Sequence, residues 1–265
     1  MDLDQIGFED SGTSSPSVDL SANGDLKGEA YRTVLGWLHQ RLAPKTYFEI
    51  GTAQGNSLAL ASCATIAIDP AFRLQSADVA GSVIKKNICC FFQMTSDEFF
   101  RKYDPISILG EPIALAFLDG MHRCENLLRD FINTERFCRK NSVIVLHDCL
   151  PVEASIATRV QEDASPTAHR QGWWTGDVWR TALLLKKSRP DLKMLVLDAP
   201  PTGLVCISNL DPTSRILEQD YFRFVETMLN FSLDNIGIHG LFREFGVQPT
   251  SVISTPEGLS RHFWL

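Results

Sequence analysis

Glu49, Gly51, Gly55 and Asp69 stand at spacings that suit a bound nucleoside. Tyr47-Phe48-Glu49-Ile50 reads as a buried strand, and Gly51-Thr52-Ala53-Gln54-Gly55-Asn56-Ser57 as a turn and helix start. Such a turn offers backbone N–H groups with no side chain in the way. Thr52, Asn56 and Ser57 belong to the same candidate surface. Asp69 comes 18 residues after Gly51, at the end of the next apolar run. A carboxylate there can accept hydrogen bonds from the two hydroxyls of a ribose. Two later apolar runs end in a second set of reactive side chains: Leu118-Asp119-Gly120-Met121-His122 and Val145-Leu146-His147-Asp148. Carboxylates joined by one or two imidazoles suit Mg²⁺ or Mn²⁺, and also a transition metal. A plainer reading makes Asp119-Gly120 a turn and His147-Asp148 a cap on the next helix.

These residues need strands to hold them. Tyr47–Gly51, Thr65–Asp69, Asn87–Gln93, Ile113–Asp119 and Ser142–Asp148 are predicted as strands, alternating with helical patterns. Val34, Leu35, Leu38 and Leu42 mark a first helix that stops before Pro44. Ser57–Ala64 opens the helix after the first strand. Thr95-x-x-Glu98 is a capping box for a helix with Phe99 and Phe100, and Leu127, Leu128 and Phe131 mark the helix after strand four. A helix is expected from near Pro151. Another is expected from Asp177 to Lys187, with Asp177 as its N-cap and Lys186, Lys187 and Arg189 at its basic end. Lys193–Asp198 and Leu204–Ser208 flank Pro200-Pro201-Thr202-Gly203 as a hairpin-like pair. The pattern predicts a doubly wound α/β sheet, whose ligands sit beyond the carboxyl ends of its strands.

Composition agrees with a globular chain. Its 265 residues are 44% hydrophobic and 22% charged, with no apolar run long enough to span a bilayer. Asp2, Asp4, Glu9, Asp10, Asp19 and Asp25 put six of the seven net negative charges into residues 1–26, which carry no Lys or Arg. The nearly neutral remainder gives no electrostatic case for nucleic acid. No basic-then-apolar leader is read at the N-terminus, and seven cysteines without a C-x-x-C pair suggest buried, reduced thiols. The expectation is a cytoplasmic protein with no membrane partner.

The glycine turn discriminates between cofactors. A dinucleotide fingerprint needs a third glycine, and an acid two residues before the first would repel a pyrophosphate. It would not repel the ammonium and sulfonium of S-adenosylmethionine. The segment resembles motif I of the class I S-adenosylmethionine-dependent methyltransferases. Five β/α repeats and a terminal hairpin resemble that family's Rossmann-like seven-stranded sheet, order 3-2-1-4-5-7-6, with the last strand antiparallel. The resemblance covers roughly residues 30–210. It implies a methyltransferase domain over 28–210, after an acidic flexible tail (1–27) and before a partly helical C-terminal extension (211–265). It also implies cofactor contacts from Glu49, Gly51, Thr52, Gly55, Asn56, Ser57, Asp69 and Asp119, and from Thr95 and Ser96, where the family binds adenine.

Strands four and five are neighbours in that order, so Asp119, His122, His147 and Asp148 converge. This set resembles the metal-dependent small-molecule O-methyltransferases that modify sugars and antibiotics, of the macrocin and mycinamicin type. The resemblance implies Asp119, His147 and Asp148 as ligands of Mg²⁺ or Mn²⁺ and His122 as general base. His147 stands where those enzymes usually carry an acid. The implied partner is a hydroxylated small molecule or carbohydrate, with Trp173-Trp174 as a lid over it, and a homo-oligomer is left open. Two other readings keep the fold: a hydroxylase-associated relative, and a non-catalytic binding module. His39, His169, His239 and His262 have no partner pattern and receive no role.

Overall fold

The computed structural model describes Leu20 and residues 24–264. Most of the acidic tail, residues 1–19 and 21–23, lies outside the described residues. Within 24–27, Leu26 is buried in the core and Asp25 pairs with Arg170 at 2.8 Å.

Seven strands form one sheet: β1 (Thr46–Ile50), β2 (Ala64–Ile68), β3 (Cys89–Phe92), β4 (Ile113–Leu118), β5 (Cys138–His147), β6 (Lys193–Leu197) and β7 (Leu204–Ser208). Their order is β3-β2-β1-β4-β5-β7-β6, the order expected. β1 to β5 pair in parallel, and β7 runs antiparallel between β5 and β6. Parallel strands need cover on both faces, so the central strands read as continuous apolar runs. Alternate residues divide between two cores. Phe48, Ile50, Ile66, Ile68, Ile144 and Leu146 enter one, while Tyr47, Ala67, Leu115, Phe117, Val143 and Val145 enter the other.

Helices cover each face. α1 (Tyr31–Leu42) and α2 (Ala77–Val83) pack Val34, Leu35, Leu38 and Val79 on the second face. The first face receives α3 (Ser96–Lys102), α4 (Pro105–Leu109), α5 (Cys124–Glu135) and α6 (Trp179–Ser188) through Phe99, Leu109, Leu128, Phe131 and Leu183. α3 starts where its capping residue predicts, because the Thr95 hydroxyl accepts from Glu98 N at 3.2 Å.

The last fifth, residues 211–265, is more structured than one helix and a mixed tail. α7 (Ile216–Gln219), α8 (Tyr221–Asn230) and α9 (Leu233–Phe245) are followed by α10 (Pro256–Ser260). Phe224, Met228, Leu241 and Phe245 join the first core, and Ile253 and Leu259 the second. Gln248 bridges to Leu197 beside the end of β6, and Asp198 Oδ1 accepts from Thr250 N at 2.7 Å. No helix among the described residues is long and apolar enough to cross a membrane.

Three helix expectations need correction. The chain after β1 makes only one 3₁₀ turn, Leu58–Leu60, because β2 already begins at Ala64. No α-helix follows Pro151: residues 151–178 form a long lid segment with three short 3₁₀ turns. Its order comes from side chains, as Glu153 accepts from Thr167 N at 2.9 Å and from Arg170 Nη1 at 2.6 Å. Asp177 does not cap α6, which starts at Trp179. Its carboxylate accepts from Cys124 N at 2.7 Å and so caps the start of α5 from outside.

Candidate functional site

At the carboxyl ends of β1 to β4 the sheet opens into a cavity of about 620 Å³. Strand order explains its place, since β1 and β4 are neighbours whose connections leave to opposite sides, a topological switch point. Gly51 makes the crossing at its floor possible. It adopts φ 85°, and a Cβ there would stand 1.8 Å from the Asp119 carbonyl oxygen. The β1 turn and the β4 turn therefore touch backbone to backbone, tied by Asp119 N donating to Ile50 O at 2.9 Å.

Asp69 lines the cavity from the end of β2. Its Oδ2 accepts from Ala53 N at 2.8 Å and its Oδ1 from Ala71 N at 2.7 Å. Each oxygen keeps acceptor capacity, so Asp69 both fixes the glycine turn and leaves acceptors at the cavity wall. Gly51, Thr95, Ser96, Asp119 and His122 also line the wall. Glu49, Thr52, Gly55, Asn56 and Ser57 lie outside it. Period two along β1 sends Glu49 to the sheet face opposite Ile50, where it is 0% exposed. There the Tyr47 hydroxyl donates to Glu49 Oε2 at 2.5 Å. Burial pushes the Glu49 carboxyl up to about 7, against the hydrogen bond from Tyr47. Glu49 thus braces the turn from beneath, and Gly55 backs onto Leu74 and Val79.

β4 and β5 bring the second set together. His147 Nδ1 lies 3.2 Å from Asp119 Oδ1 and 3.4 Å from Asp148 Oδ1. His122 Nε2 lies 3.5 Å from Asp119 Oδ1 and 3.2 Å from Asp148 Oδ2. Asp148 reaches inward because its backbone is left-handed, φ 59°, and the Thr202 hydroxyl from the β6–β7 turn donates to Oδ1. Burial opposes charge on His122, yet the nearby Asp148 and Asp119 carboxylates push its pKa up to about 9. The same balance raises His147 well above the ordinary histidine value. It holds Asp119 well below the usual carboxylate range, with His147 and His122 outweighing burial.

The donors of Asp119, His147 and Asp148 lie within 4.8 Å of one another, a spacing one divalent cation can bridge. The tautomer of His122 sharpens the test. Its Nδ1 faces the Trp174 carbonyl at 3.0 Å, and a carbonyl only accepts, so Nδ1 carries the hydrogen. In the neutral ring the Nε2 lone pair then faces two carboxylates. That edge calls for a proton or a metal ion, so the residues fit a cation.

The lid closes over this set. Trp174 stacks on His122 at 5.0 Å and its indole N–H donates to Thr158 O at 2.7 Å. Gly176, at φ 61°, packs so tightly that a Cβ would meet His122 O at 1.8 Å. Trp173 instead lies over Arg170, whose guanidinium is 6.0 Å from its ring.

Sequence reasoning missed four contributors. Tyr31 opens α1 with its ring 4.3 Å from His147. Burial, and then Asp119, push its hydroxyl up to about 12. Thr202 arrives from a turn that reads as a mere connection. Asn126 and Asp130 line the cavity from α5. Their only signal was a polar pair at i, i+4 on an otherwise apolar helix face.

Solved structures of low identity resemble the chain in part. The O-methyltransferase from Bacillus cereus in complex with SAH is 15% identical, covering 73% of this chain and 83% of that chain, TM-score 0.48. Cofactor-bound Rv0187 from MTB is 15% identical, covering 74% and 83%, TM-score 0.48. The O-methyltransferase TomG from Streptomyces achromogenes, in complex with SAM, is 15% identical, covering 73% and 82%, TM-score 0.45. No curated protein matches the chain by sequence. Residues 48–149 match a family model described as a methyltransferase domain. The matched segment and the seven-strand order give the chain a Rossmann-like methyltransferase fold.

Proposed function

We propose that the protein transfers the methyl group of S-adenosylmethionine to a hydroxyl of a small molecule or sugar, assisted by a divalent cation. What carries this reading is the charge of the cavity wall. Asp69, Asp97, Asp119 and Asp130 line it, with Arg73 and His122 as the basic groups. An acidic wall suits a sulfonium and an ammonium and repels a pyrophosphate. The 3₁₀ turn after β1 also gives no full helix N-terminus to receive phosphate oxygens.

The work then divides among named groups. Asp69 accepts from the ribose hydroxyls. Asp119, His147 and Asp148 would hold the cation, which would supply Lewis acidity to lower the pKa of the acceptor hydroxyl. With a cation among these carboxylates the His122 pKa would fall from about 9, and its Nε2, with Nδ1 held by the Trp174 carbonyl, would receive the hydroxyl proton. The acceptor oxygen bonds to the methyl carbon as the carbon–sulfur bond breaks, and S-adenosylhomocysteine leaves. Trp174 keeps water from the His122 ring, and orientation supplies the rest of the acceleration.

Calorimetry with S-adenosylhomocysteine, with and without Mn²⁺, tests the first half. Absence of binding by the folded protein would sink the cofactor reading. With a turned-over acceptor in hand, His122→Ala should lower kcat by about 10²–10⁴-fold and leave cofactor affinity within about threefold. A variant with near-normal kcat would remove His122 from the proton transfer.

A further inference from the structure

We propose that Tyr31 is a positioning residue of the cation site: its ring holds the His147 imidazole so that Nδ1, and not Nε2, meets the cation. The inference rests on the divalent-cation reading and names what orients one of its ligands.

Either ring nitrogen of a histidine can bind a metal, and the hydrogen bond made by the other nitrogen usually settles which. The β4–β5 register sets the first constraint. Phe117 pairs with Val145, so Asp119 and His147 follow side by side on the same face of the sheet. His147 Nδ1 lies 3.2 Å from Asp119 Oδ1 and 3.4 Å from Asp148 Oδ1. Two donors on perpendicular axes about 2.1 Å from an ion stand about 3.0 Å apart, so Nδ1 is placed close to where a ligand beside each carboxylate belongs. Nε2 has no such company. It is buried and meets no hydrogen-bond partner among the described residues. The far side of the ring is therefore not tied by an oxygen, the usual device for a ligating histidine.

Aromatic rings take that place. Tyr31 packs on His147 with centroids 4.3 Å apart and planes at 42°, and Phe117 does so at 5.8 Å and 54°. Tyr31 in turn stacks on Phe117 at 6.3 Å and 12°. Rings from α1, β4 and β5 thus close a triangle around the imidazole. A half-turn of that imidazole would carry Nδ1 away from both carboxylates, and close packing resists the passage. Tyr31 is itself fixed by backbone. Its N–H donates to Pro200 O at 3.0 Å, and Gly28 N donates to Asp198 O at 3.2 Å. The start of α1 is therefore pinned to the same turn that brings the Thr202 hydroxyl to Asp148. The Tyr31 hydroxyl makes no hydrogen bond among the described residues, so the ring and not the oxygen does the holding.

Pulsed electron paramagnetic resonance of Mn²⁺ bound to the full chain tests this, with histidine labelled by ¹⁵N at Nδ1 alone. A directly bound nitrogen couples to the ion far more strongly than the remote nitrogen of the same ring. The wild type should show a directly bound ¹⁵N. His122 cannot mimic it, because its Nδ1 faces the Trp174 carbonyl at 3.0 Å. Tyr31→Phe keeps the ring and should keep both the coupling and a Mn²⁺ affinity within about threefold of the wild type. Tyr31→Ala should weaken Mn²⁺ binding by about 10–100-fold, the scale for a group that orients a metal ligand, and lose the ¹⁵N coupling. Tyr31→Leu keeps bulk without the flat ring, should show the same two losses, and serves where the alanine variant folds poorly. Unchanged coupling and affinity in the leucine variant would overturn the proposal. So would a wild type that binds Mn²⁺ with no directly bound ¹⁵N. Failure of the wild type to bind Mn²⁺ at all would instead overturn the cation reading on which the proposal stands.

Discussion

Glu49 shows how one side chain can be chosen by a strand and not by a ligand. Its place two residues before Gly51 invites a direct cofactor contact, yet the strand turns it away from the cavity and against Tyr47. Its buried carboxyl titrates at about 7, against an ordinary value of 4.5. The folded state therefore holds this proton when the unfolded chain has already released it. Stability from Glu49 is full below about pH 4.5 and is lost as pH rises toward 7. Urea unfolding should show the wild type losing roughly 3 kcal/mol relative to Glu49→Gln between pH 4.5 and 8. A constant difference across that range would mean the group is ionised throughout. Asp69 is legible for the opposite reason: it ends a strand, so its backbone position alone commits it to the cavity. Asp69→Ala should weaken S-adenosylhomocysteine binding by about 1.5–3 kcal/mol in calorimetry, because it removes ribose acceptors and frees Ala53 N in the turn. Unchanged affinity in a folded variant would take the ribose role from Asp69.

Strands were the most legible elements and the lid the least. Strands buried on both faces read as apolar runs whatever their direction, and β1, β2, β4, β5, β6 and β7 each fall within a residue or a few of the expected bounds. The segment 151–178 has no such period. Its shape comes from Glu153, Arg170 and Asp177 bonding across long sequence distances, which local patterns do not encode. The same limit hid the tie between α6 and the rest of its layer. Arg189, read only as the basic end of a helix, has a side chain that is 1% exposed and donates from two nitrogens to Glu135 on α5, each at 2.9 Å. Removing one partner strands the other charge in the interior. Arg189→Ala should cost about 3–5 kcal/mol in denaturant unfolding, against less than about 1 kcal/mol for the exposed pair of Lys45 and Glu111. A small loss at Arg189 would show that water reaches Glu135.

For the whole molecule, the carboxyl edge of the sheet collects groups from nearly every part of the chain: Tyr31 from α1, Asp69 from β2, Ser96 from α3, Asp130 from α5, His147 from β5, Trp174 from the lid and Thr202 from the last hairpin. The second set was legible because two apolar runs ended in acid and imidazole. The groups that surround it were not, since only the folded sheet brings α1, the lid and the hairpin to one place. Gly176→Ala tests the lid as a working part. Its methyl group has no room beside His122 O, so kcat should fall by about tenfold or more while S-adenosylhomocysteine binding at the far side stays near normal. Normal turnover would show that the lid tolerates a looser seat.

The Trp174–His122 stack also gives the molecule an optical voice. An indole lying 5.0 Å from an imidazole changes its emission with the charge on that ring. Any event that discharges His122, such as a cation settling among Asp119, His147 and Asp148, should brighten Trp174 without a label. Titrating Mn-free Mg²⁺ while recording emission should give a saturable rise in the wild type and none in Trp174→Phe, even before any acceptor has been identified.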